Sequence, residues 1–114
     1  MRGEERTERG STESLVVYVV TYPEKNYVEW VRSLVERKLV ACVNVIPIRS
    51  LYRWEGSIVD EGEVLLLMKT STSKSRALRE VISREHPYEI PEIVEISPLS
   101  VNEKYLNWVV DATS

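Results

Sequence analysis

The 114 residues include one cysteine, one histidine, four glycines and no phenylalanine. A single cysteine, Cys42, excludes an internal disulfide, and a chain without disulfides fits the cytoplasm. There is no Cys-x-x-Cys pair, no His-x-x-x-His and no acidic calcium loop, so the sequence does not encode a conventional closed metal site. A nucleophile elbow, a Walker loop and a dinucleotide fingerprint are also missing. No acid–base pair or nucleophile can be named, and the chain does not read as an enzyme. The net charge of -3 argues against nucleic-acid partners, which need a basic face. No apolar run approaches the roughly 20 residues of a membrane span, and no charged segment followed by an apolar one opens the chain as a signal peptide would. The expectation is a cytoplasmic protein with no membrane or nucleic-acid partner.

At 43% hydrophobic and 29% charged residues, the remaining composition supports one domain with its own core. Residues 1–13 are almost all charged, Gly, Ser or Thr and are expected to form a flexible tail; 14–114 form the domain. Residues 15–21, Leu-Val-Val-Tyr-Val-Val-Thr, are apolar on both faces and read as a buried central strand. Pro23-Glu24 suits the first turn of a helix, whose stripe is Tyr27, Val28, Trp30, Val31, Leu34 and Val35. A second strand follows over 40–46, interrupted at Pro47 to Arg49. Leu51 to Glu55 continues as an extended arm, turned by Gly56-Ser57. Asp60, Glu61 and Glu63 read as a solvated turn or a bulge in the return, and 64–70 as the third strand. A helix carrying Ala77, Leu78, Val81 and Ile82 ends at His86, because Pro87 disfavours helical geometry in the residue before it. Residues 90–97 read as the fourth strand. Ser100 with Glu103 matches a capping box for a last short helix. The order β-α-β-β-α-β plus a terminal helix is most simply an α+β, ferredoxin-like sandwich with an antiparallel sheet.

The candidate site residues follow from this layout. His86 stands between a helix and a strand and is fixed by Pro87 and Pro91. Imidazole there suits metal ligation or proton chemistry, and equally suits a helix C-terminus, where its charge meets the dipole. Tyr52 and Trp54 lie two apart on the arm and share one face; two large aromatics on a protruding hairpin favour packing against a neighbouring subunit. Cys42 reads first as a small buried apolar residue. Lys69, ending an apolar strand, suits either an anion or snorkelling at a strand end. Other proteins with this order are excluded. An acylphosphatase needs an arginine after its first strand, where residues 21–24 are Thr-Tyr-Pro-Glu. An RNA-recognition domain needs stacking aromatics on a central strand, where residues 65–68 are Leu-Leu-Leu-Met.

Several segments, in order, resemble the CutA family of divalent-cation tolerance proteins: Leu39-Val40-Ala41-Cys42-Val43-Asn44, Tyr52-Arg53-Trp54-Glu55-Gly56, Lys69-Thr70, His86-Pro87-Tyr88-Glu89-Ile90-Pro91-Glu92 and Tyr105-Leu106-Asn107-Trp108. The resemblance implies a homotrimer of ferredoxin-like subunits whose hairpins pair across subunit boundaries. It also implies a link to tolerance of copper and other divalent ions, and an architecture similar to the P-II signalling trimers. Two functions are expected from it. In the first, the trimer binds a copper-like divalent ion, with no organic cofactor; His86 is the primary ligand, Cys42 the soft ligand and Glu89 the completing carboxylate. In the second, the trimer is a regulatory scaffold whose inter-subunit clefts hold a small anionic effector or a partner loop, lined by Tyr52, Trp54, Lys69, His86 and Tyr88.

Overall fold

A computed structural model describes residues 13–114. The expected tail lies outside the described residues except for Glu13, whose carboxylate accepts the Ser73 N–H at 3.2 Å. Four strands and three helices form: β1 (Leu15–Pro23), α1 (Tyr27–Glu36), β2 (Cys42–Trp54), β3 (Ser57–Ser71), α2 (Thr72–Glu85), β4 (Ile93–Ile96) and α3 (Glu103–Ala112). The sheet order is β2-β3-β1-β4, antiparallel throughout. This is the expected ferredoxin-like α+β arrangement. No helix among the described residues is long and apolar enough to cross a membrane.

Side chains alternate across the sheet. On one face Val16, Tyr18, Val20 and Tyr22 of β1 meet Val64, Leu66 and Met68 of β3, and Leu34 of α1 and Leu78, Val81 and Ile82 of α2 close over them. The opposite face carries Val17 and Val19 beside Leu65 and Leu67, with Ile46 of β2 and Val94 and Ile96 of β4 alongside. Helix α3 reaches one end of this second face, where Thr113 and Ser71 hydroxyls bond at 2.9 Å. The rest stays uncovered: Ile46, Val94 and Ile96 are 41%, 46% and 45% exposed.

Several expectations need correction. Pro23 ends β1, paired with Glu63, and does not start a helix; β4 pairs only as far as Val20, so a missing N–H is tolerated there. Asn26, at φ 65, then turns the chain into α1, a conformation asparagine adopts more readily than most residues. Pro47 does not interrupt β2. It sits opposite Val64 in an unbroken ladder, because β2 is the sheet edge and has only one neighbour to satisfy. Asp60 to Glu63 is neither turn nor bulge: β3 is continuous, and its pairing with β2 holds one register from Cys42↔Lys69 to Trp54↔Ser57. The turn is the two residues Glu55 (φ 49) and Gly56 (φ 82), and left-handed φ at both positions gives the tight hairpin that matches strand twist. The fourth strand is shorter than 90–97, since Pro91 has no N–H for a ladder. The capping box does not form: Asn102 caps α3 without a side-chain bond. The hairpin arm extends the molecule to 53 Å, against 28 and 22 Å in the other directions.

Candidate functional site

His86 caps α2, its N–H bonded to the Ile82 carbonyl at 2.9 Å, and Pro87 turns the chain away. The Tyr88 N–H donates to Nδ1 at 3.1 Å. An accepting Nδ1 leaves the proton on Nε2, which donates to the Thr21 carbonyl at 2.7 Å. Both ring nitrogens are therefore occupied within the chain, and the residue is 8% exposed. The imidazole reaches across to β1 and does not rest on the helix's final carbonyls. Its ring packs edge-on to Tyr22 at 5.0 Å and against Tyr88 at 4.8 Å, and Tyr22 stacks on Trp30 at 4.6 Å. Burial lowers the His86 pKa, opposed by the Thr21 carbonyl and Glu63. Beside it, Trp30 Nε1 donates to Glu85 at 3.0 Å, and Arg37 grips the same carboxylate with two N–H groups at 3.0 and 2.8 Å. That grip holds the Glu85 pKa below the ordinary carboxylate value.

The histidine fixes the start of a loop, residues 86–92, that faces the hairpin arm across a cavity of about 850 Å³. Tyr52, Trp54 and Tyr88 line it, as do Glu63, Glu89 and Glu92. The Tyr88 hydroxyl donates to Glu63 at 2.6 Å, and the Tyr52 hydroxyl to Glu61 at 2.5 Å. Burial, then the bond to Glu63, raises the Tyr88 pKa; the bond to Glu61 raises Tyr52 to about 12. Both phenols therefore stay protonated and hold buried Glu63 and its neighbour in place. Two strand residues apart, Glu61 and Glu63 project from the same face as Tyr52. The hairpin register makes that visible once the turn is placed at Glu55-Gly56, and the residues 60–63 had read as a solvated turn.

Cys42 and Lys69 lie elsewhere. They are cross-strand partners, and Lys69 faces Val17 on its other side, four residues along β1 from Thr21, about 13 Å at the rise of a strand. Lys69 Nζ donates to Asn44 Oδ1, and the Cys42 thiol lies 3.8 Å from the same oxygen. Tyr105 of α3 meets Cys42; burial first, then the thiol, raises its pKa. The structure thus brings Tyr52, Trp54, Tyr88 and Glu89 to one cavity with His86 behind it, and keeps Cys42 and Lys69 apart from them. Among the described residues no three or more His, Cys, Asp or Glu side chains group as a metal site.

The family model described as CutA1 divalent ion tolerance protein matches residues 15–112. The chain belongs to the CutA1 family. It is 46% identical over 100 residues to a Xenopus laevis protein named CutA homolog, covering 86% of this chain and 66% of that one. It is 39% identical over 99 residues to the divalent-cation tolerance protein CutA of Thermus thermophilus, covering 85% and 96%. Among solved structures, the PII-like protein CutA from Nostoc superposes with a TM-score of 0.83 at 36% identity, over 87% of this chain and 97% of that one. The CutA1 fold and the ferredoxin-like reading therefore agree, and a likeness to PII-like proteins stands beside them.

Proposed function

We propose that this chain works as a cytoplasmic homotrimer in the response to divalent, copper-like ions, as a binding protein and not an enzyme. The observation that carries the assembly is the uncovered apolar sheet face around Leu67, Val94 and Ile96; the ion response rests on the CutA1 family match. A two-layer sandwich leaves such a face in water only at a cost that assembly removes. The number three comes from the CutA resemblance. Within one chain, His86, Cys42 and Glu89 do not fit a shared ion, since both imidazole nitrogens are bonded and Cys42 lies at the far end of the sheet. Cys42 is half-buried beside Tyr105 of α3 and Glu89 is exposed on the loop, so donors from more than one subunit would complete a site.

Copper(II) titrated into the purified full-length assembly should be taken up to saturation at a whole number of ions per subunit, and Cys42→Ser should weaken that uptake. Uptake that never saturates, or that is identical in Cys42→Ser, contradicts the ion-binding reading. The cavity of Tyr52, Trp54 and Tyr88 favours a second reading, in which the same assembly is a regulatory scaffold holding a small effector. The likeness to a PII-like protein supports it.

A further inference from the structure

The chemistry of the cavity walls selects a class of effector. Lys69, the lysine suited to an anion, is held at the other end of the sheet by Asn44. Two guanidinium groups do line the cavity, Arg49 and Arg53. Arg49 is committed to Asp60 by two bonds of 2.8 and 2.7 Å, leaving Arg53, which makes no ion pair among the described residues. Against it stand the carboxylates of Glu63, Glu89 and Glu92, with Glu61 adjacent through Tyr52. The phenol O–H groups of Tyr52 and Tyr88 are both donated to the protein's own acids. What the cavity offers a visitor is therefore aromatic rings and acceptor oxygens, with Arg53 and Ser50 among its remaining side-chain donors. An anion would find more negative charge than positive. A cation would find the aromatic rings of Tyr52, Trp54 and Tyr88, a side-chain type that attracts ammonium and guanidinium groups, and carboxylates at hand.

Building on the scaffold reading, we propose that this cavity takes a compact organic cation, an aliphatic amine or guanidinium compound, with its charge against the three aromatic rings and Glu89 and Glu92. Glu89 and Glu92 are exposed, so neutralising them leaves the core intact.

Calorimetric titration of the full-length protein at physiological salt, with spermidine as probe and citrate as the anionic control, tests it. Saturable spermidine binding is expected, with no citrate binding. The double variant Glu89→Gln, Glu92→Gln should lose about tenfold in affinity, the scale of two exposed charge contacts, with an unchanged melting curve. Tetramethylammonium should compete, since it can use only the rings. Citrate binding without spermidine binding overturns the inference, as does spermidine binding that the double variant leaves unchanged. If neither probe binds a protein that still sediments as an oligomer, the cation assignment fails and the assembly stands; a monomer that binds spermidine leaves the cation assignment and removes the assembly.

Discussion

His86 is held in this chain from both sides of its ring, by the Tyr88 N–H and the Thr21 carbonyl. Its place at the end of α2, fixed by Pro87, follows from local chemistry. Its two partners do not: Thr21 is 65 residues away, and only the packing of α2 against β1 delivers that carbonyl. The ring is therefore a neutral brace for Tyr88 in this chain. A consequence is a pH dependence with a definite sign. Burial lowers the folded pKa from 6.5, so the unfolded chain binds a proton first. The stability that this group contributes is complete above about pH 6.5 and is lost as pH falls below that value toward the lowered one. The Arg37-held Glu85 and the Arg49-held Asp60, also lowered, begin to lose theirs only as pH falls into the ordinary carboxylate range. Urea unfolding between pH 7.5 and 5 should show falling stability in the native protein and a flatter profile in His86→Gln. An equal slope in both would mean that the imidazole is not held neutral.

At the scale of elements, the hairpin of β2 and β3 is where sequence signals and structure part most clearly. Pro47 reads as a strand breaker, and the acids after Asp60 read as a turn, because neither pattern says which strand will be the sheet edge or which carboxylates will meet a tyrosine. Once β2 is the edge, the proline is harmless. Once the register is set at Trp54↔Ser57, Glu61 and Glu63 come to the face of Tyr52. The turn itself is specified by backbone conformation. Gly56 has φ 82, and an added Cβ would meet nothing within 4 Å, so the cost of Gly56→Ala is conformational alone. That variant should lower the unfolding free energy by about 1 kcal/mol, the penalty of a left-handed non-glycine residue. An unchanged denaturation midpoint would mean that the turn relaxes to another form.

For the whole molecule, the strand order and the two helices over one face were legible in the β-α-β-β-α-β pattern. β1, apolar on both faces, reads as a buried central strand, yet this chain covers only one of its faces with the main core. The other face is partly buried around Val17 and Val19 and more exposed at Val94 and Ile96. A second layer from other copies reconciles the sequence with the fold, and a charge placed there distinguishes assembly from stability. Leu67 points to the uncovered face, beside buried Leu66 and Met68 that point to the core. Sedimentation equilibrium on the full-length protein and on Leu67→Glu is therefore the most direct measurement. The proposed trimer, assembled through this face, predicts three times the 13.2 kDa chain mass for the native protein and a folded single-chain species for the variant. A native protein that sediments as one chain, or a variant that keeps the native mass, would contradict it.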